Sequence, residues 1–171
     1  MSDGMMLHCL VVYYSRNGTT RAAAQAIANA LHCSVEEIIA LRRRRGVGGY
    51  LQATLDTALR RGAAVAPDLH NPRTFDLVIV GSPVWHRSVS SPVRTYLARH
   101  RGHFREIAFF CTQRAQGATR AFGEMAELAG RAPVTVLALE VRDVKRRRYP
   151  AAMRRFVQQV RDAVGVASGA A

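Results

Sequence analysis

The sequence predicts an α/β fold: a three-layer α/β/α sandwich around a five-stranded, parallel, doubly wound sheet. Three observations carry that reading. Short apolar runs of strand length recur along the 171 residues, segments with helical spacing separate them, and the two kinds alternate from one end to the other. The strands read as Leu7–Tyr14, Val35–Leu41, Leu77–Val80, Ile107–Cys111 and Val134–Leu139. Each is mostly apolar throughout, as a strand covered on both faces must be. The helices read as Arg21–Leu31, Tyr50–Arg60, Pro92–His100, Ala118–Ala129 and Pro150–Val164. Pro92 suits a first helical turn, where its missing N–H would have no partner. In the last helix Met153, Phe156, Val157, Val160 and Val164 share one stripe at spacings of three and four. Residues 1–167 read as one domain and Ser168–Ala171 as a loose tail.

Composition narrows the class of protein. A hydrophobic content of 49% excludes a disordered chain, and no apolar run reaches the ~20 residues needed to cross a bilayer. Met1–Leu7 has neither a basic stretch nor a small-residue cleavage site. Cys9, Cys33 and Cys111 are odd in number and far apart, without CxxC or metal spacing. The expectation is a reduced, cytoplasmic, metal-free protein, monomer or dimer.

The charge is strongly basic. Twenty-five basic residues against twelve acidic ones leave +13, and Lys145 is the one basic residue that is not arginine. Two readings stay open: attraction to a polyanion or acidic partner, and a compositional bias that covers the surface with guanidinium groups. The arginines concentrate at Arg42–Arg45, at Arg60–Arg61 and from Arg142 to Arg148. No aromatic platform or recognition helix accompanies the last run, so it reads as a docking patch for an acidic redox partner, or as a solvated loop, rather than as a nucleic-acid site.

In doubly wound sheets ligands sit beyond the carboxyl ends of the strands, where the strand order reverses. Three loops at that edge carry specific chemistry. After the first strand, Ser15-Arg16-Asn17-Gly18-Thr19-Thr20 opens a helix with three hydroxyls and a glycine. Such a helix start offers free N–H groups and a positive dipole end to a phosphate monoester. It lacks both GxxxxGK[ST] and GxGxxG, which argues against nucleoside triphosphate and dinucleotide sites. A plain capping turn is the alternative. After the third strand comes Gly81-Ser82-Pro83-Val84-Trp85-His86-Arg87, whose lone tryptophan suits stacking on a flat conjugated ligand, or else closes the end of the core. After the fourth strand, Thr112-Gln113-Arg114-Ala115-Gln116-Gly117 supplies amides and a glycine. Neither His86 nor Cys111 is assigned a catalytic role, and no catalytic residue is named.

Together, Val11–Arg21, Gly81–Leu97 and Phe109–Leu128 resemble the flavodoxin-like family of FMN-binding proteins over nearly the whole chain, and Gly48–Arg61 resembles that family's second helix. The resemblance implies the strand order 2-1-3-4-5 and FMN as cofactor. It implies that Ser15, Arg16, Asn17, Gly18, Thr19 and Thr20 surround the flavin phosphate. Pro83, Val84, Trp85, His86 and Arg87 would line the ring, with Thr112, Gln113, Gln116 and Gly117 approaching from the other side. His86 and Arg87 stand where relatives usually have small residues or glycine, and the third loop is bulkier than the glycine-rich loop of relatives. The implied function is an FMN-binding electron carrier acting with a redox partner protein or a small-molecule acceptor. The alternatives are an FMN-dependent oxidoreductase linked to NAD(P)H or quinone, and a flavin-free interaction module on the same fold.

Overall fold

The computed structural model describes residues 7–41, 63–114 and 116–168, with side chains through Gly165. The helix expected over Tyr50–Arg60, the Gly48–Arg61 likeness and the arginine clusters at Arg42–Arg45 and Arg60–Arg61 lie outside the described residues, as do the first six residues, Ala115 and the last three. The elements are β1 (Cys9–Tyr13), α1 (Thr19–Leu31), β2 (Ser34–Glu37), a 3₁₀ turn at Pro72–Thr74, β3 (Leu77–Trp85), β4 (Ser88–Val89), α2 (Ser91–Arg99), β5 (Glu106–Gln113), α3 (Ala118–Ala129), β6 (Val136–Glu140), α4 (Val141–Lys145) and α5 (Pro150–Ser168).

The long strands pair in parallel in the order β2-β1-β3-β5-β6. That is the 2-1-3-4-5 order once β4, a two-residue strand antiparallel to the end of β3, is set aside. The period of two along each strand divides the core. Cys9, Val11 and Tyr13 pack with Ile79, Phe110, Ile27 of α1 and Phe156 of α5, whereas Leu10 and Val12 pack with Val80, Phe109, Leu97 of α2 and Met125 of α3. The three-layer sandwich follows. β1 turns to β2 on one side of itself and β3 lies on the other, so the order reverses between β1 and β3.

Three details depart from expectation, each for a physical reason. The expectation that strands are covered on both faces holds for the central strands and fails at the edges: β6 alternates buried Leu137 and Leu139 with exposed Val136 and Ala138. β3 does not stop at Val80 but runs through Pro83 to Trp85. β1 ends opposite Gly81, so past that point the β1 side of β3 is free and a residue without N–H breaks no ladder there. The basic run is not a bare loop either, since its first part forms α4 around buried Val144.

The reduced-cysteine expectation is overturned. Cys9 and Cys33 form a disulfide. Far apart in sequence, they are neighbours in the sheet: the β1–β2 register pairs Leu10 with Ser34, which puts the preceding residues opposite one another, Cα atoms 4.9 Å apart. α1 is the loop that this bridge closes. Cys111 is buried and free, and burial pushes its thiol up to about 12, so it packs as a small apolar residue. No helix among the described residues is long and apolar enough to cross a membrane.

Candidate functional site

The three loops converge on one edge. After β1 the chain passes through Ser15, Arg16 and Asn17 to Gly18, whose φ of +80° is left-handed and which has open space where a side chain would stand. The first intrahelical bond of α1 runs from Ala22 N–H to the Gly18 carbonyl (2.9 Å), so the N–H groups of Thr19, Thr20 and Arg21 precede the helical ladder. No side chain caps them and no acidic residue stands in that turn. The Ser15 hydroxyl is buried and has no hydrogen-bond partner. An orphaned buried hydroxyl beside a helix start with free donors is the arrangement that a phosphate monoester completes.

One cation of the first helical turn is already engaged. Arg21 holds Glu37 through both carboxylate oxygens (2.8 and 2.9 Å), and Glu37 also accepts from the Tyr13 phenol at 3.3 Å. Burial raises the Tyr13 phenol above its usual value, with the hydrogen bond from Arg21 opposing the shift. Arg21 is thereby committed to Glu37, which leaves mostly neutral donors, with Arg16, to face an anion.

The second loop is a hairpin. Trp85 pairs with Ser88 across a two-residue turn in which His86 (φ +48°) and Arg87 (φ +60°) are both left-handed. Two successive positive φ values mark a type I′ turn, which Asn and Gly adopt far more readily than His and Arg. Trp85 is only partly buried, so it does not close the core. Its indole stands edge-on to Tyr14 with ring centroids 5.9 Å apart, and the Arg16 guanidinium lies over it at 5.7 Å.

The third loop touches both others. The Thr112 hydroxyl lies 2.8 Å from that of Thr20, a buried bond tying the end of β5 to the first turn of α1. The Gln113 side chain accepts from Ala118 N–H (2.9 Å) and closes the turn that leads into α3. Gly117, at φ +126°, lies so close to the hairpin that a Cβ would meet Arg87 Cα at 2.8 Å and Val84 at 3.1 Å. Gln116 is exposed on the same loop. All fifteen candidate residues therefore belong to this one edge, with Pro83, Val84 and Trp85 in a strand rather than a loop, and with Thr112 and Gln113 already engaged in holding the loops together.

Sequence reasoning missed the residues that pin the hairpin. Glu124 of α3 accepts from Ser88 Oγ (2.7 Å) and Val89 N–H (3.2 Å) and is ion-paired with Arg94 of α2, which also donates to Ser88 Oγ at 3.1 Å. Both charged side chains are close to fully buried, 9% and 13% exposed. At the hairpin's base, Ser82 Oγ accepts from Ser90 N–H and lies 3.0 Å from its hydroxyl. One signal was available: Glu124 falls on the helix stripe of Ala121 and Met125, and a carboxylate on an inward stripe demands a partner. Nothing local names that partner, thirty residues upstream.

No protein-family model matches the chain, and no curated protein matches it. Solved structures do. A flavoprotein from Lactobacillus acidophilus, crystallised in complex with FMN, is 22% identical with a TM-score of 0.67, over 82% of this chain and 97% of that one. A flavoprotein from Bacteroides uniformis is 20% identical with a TM-score of 0.63, over 82% and 96%. A flavodoxin from the domain Archaea is 18% identical with a TM-score of 0.51, over 93% and 99%. The fold of this chain is thus flavodoxin-like, the similarity spanning nearly the full length of each of these neighbours.

Proposed function

We propose that this chain binds FMN at the carboxyl edge of its sheet and exchanges electrons through it. One observation carries the reading: the β1–α1 turn offers free N–H groups, a left-handed Gly18 and the orphaned, buried Ser15 hydroxyl at the place where a flavodoxin-like fold presents a phosphate site. The FMN complex of the Lactobacillus acidophilus neighbour supports it. Ser15, Arg16, Asn17, Gly18, Thr19 and Thr20 hold the phosphate. Pro83–Arg87 line one side of the ring, and Thr112, Gln113, Gln116 and Gly117 line the other. FMN, when bound, supplies reversible one- or two-electron transfer. The residues supply position and charge. Glu124 and Arg94 hold the hairpin, Trp85 offers an aromatic surface, and Thr112–Thr20 keeps the phosphate turn in register with the third loop.

Arg16, Arg87 and Arg114 place cations around this edge. One unit charge at ~6 Å, with an effective dielectric of ~30, contributes about 1.8 kcal/mol, or ~80 mV for one electron. These cations favour the reduced, anionic flavin. The same sign favours an acidic redox partner, met by the exposed Arg146, Arg147 and Arg148.

The test is a titration of FMN into flavin-free protein, followed by quenching of flavin fluorescence. A Kd at or below the micromolar range, weakened in Ser15→Ala, supports the reading. A preparation that leaves micromolar FMN unquenched ends it.

A further inference from the structure

A concavity lies on the same edge, one strand beyond the ring-lining loop. Its volume is about 350 Å³ and it is lined by Arg114, Val141, Arg142 and Lys145. The β5–β6 register creates it. Gln113 stands opposite Glu140, so Arg114 and Val141 emerge side by side from the two strand ends. α4 then turns across them and presents Arg142 and Lys145, three residues apart and hence on one helix face. Arg142 is oriented by an ion pair from its Nε to Glu140 Oε2 (2.6 Å). Arg114 and Lys145 have no hydrogen-bond or ion-pair partner among the described residues. Three cations against one carboxylate leave about two positive charges converging on the pocket.

A larger groove elsewhere, of about 730 Å³, is lined differently. That groove, lined by Asp68, His70, Arg73, Arg99, His100 and His103 among others, carries carboxylates against part of its positive charge: Asp68 accepts from Arg99 (2.9 Å) and faces His100 (2.8 Å), and buried Glu36 faces His70 (2.8 Å). The pocket beside the ring-lining loop has no carboxylate in its own lining, whereas the groove has Asp68 in its lining.

We propose that the Arg114–Arg142–Lys145 pocket is an anion site for the phosphate or diphosphate group of a small-molecule ligand, distinct from the phosphate turn after β1. A guanidinium presents paired donors to phosphate oxygens and the lysine adds a mobile point charge, a combination that matches a dianion. The concavity is shallow and open to solvent, which suits the charged end of a ligand rather than its whole body. Its place beside the flavin edge makes its ligand a candidate electron donor or acceptor. That last use rests on the flavin reading, whereas the affinity for phosphate does not.

The experiment titrates inorganic pyrophosphate, and separately ADP, into FMN-loaded protein by calorimetry at low salt. One saturable site is expected. Arg114→Ala and Lys145→Ala should each weaken it about tenfold, and the double variant should abolish it. Arg105→Ala, paired with Asp76 at the opposite end of the sheet, should leave it unchanged. Tighter binding of ADP than of pyrophosphate assigns the site to an organic phosphate, and equal binding assigns it to a free anion; both support it. No saturable binding, or equal weakening by Arg105→Ala, overturns it in favour of diffuse attraction to a basic surface. Absorbance near 450 nm is recorded in the same samples. Should the protein take up no FMN, the flavin reading fails by itself, and the effect of the Arg114/Lys145 double variant on pyrophosphate binding still decides the pocket.

Discussion

The β1–α1 turn and the β3–β4 hairpin stand side by side on one edge of the sheet and are held in opposite ways. The turn leaves polar groups open: first-turn N–H donors without a cap and a buried Ser15 hydroxyl without a partner. The hairpin consumes its polar groups internally, with Ser82, Ser88, Ser90 and Val89 N–H bonded to one another or to buried Glu124 and Arg94. A segment proposed to bind keeps donors in reserve for its ligand to complete. A segment that positions a side chain closes its network, because the left-handed turn at His86 and Arg87 needs support from outside itself.

The largest expected effect breaks the pinned side. Glu124→Ala leaves buried Arg94 without its carboxylate and should cost about 3–4 kcal/mol of stability in urea unfolding, while Ser15→Ala changes flavin-free stability by less than about 1 kcal/mol. Equal losses in both variants would erase the distinction between the two regions. Next comes a control outside both. Replacing Cys9 and Cys33 with serine opens a loop of 24 residues and should lower stability by about 3 kcal/mol, with FMN affinity unchanged because the bridge lies at the amino end of β1.

Smaller effects sharpen the contrast. Ser15→Ala should weaken FMN about tenfold to a hundredfold in a fluorescence titration, the value of one hydrogen bond to a charged group. The smallest expected effect is His86→Asn, which suits the left-handed position and should raise the thermal midpoint through a gain of about 0.5–1 kcal/mol. If that variant were destabilised, the turn would not be the strained element described here.

Much of this was legible in the residues. The alternation of apolar runs and helical stripes carried the layers, and the hydroxyl-rich stretch from Ser15 to Thr20 marked the uncapped helix start proposed to hold phosphate, because both signals are local. Hidden from view were features that depend on which strands become neighbours. Cys9 and Cys33 looked unrelated until β1 and β2 paired. Gly81 looked like part of a turn, but it lies within β3 opposite Phe110, whose ring leaves no room for a Cβ: one would meet it at 2.0 Å. Arg114 and Lys145 came from separate segments and share a pocket only because β5 and β6 align at their ends.

The sequence by itself determined the sandwich, the strand order's carboxyl edge and the chemistry of the first turn, since hydrophobic period and helix-start chemistry act over a few residues. Tertiary structure alone decided the disulfide, the burial of Glu124 against Arg94 and Ser88, and the meeting of cations beside the third loop. Each of those depends on groups brought together across the sheet, where register rather than local spacing sets the distance between them.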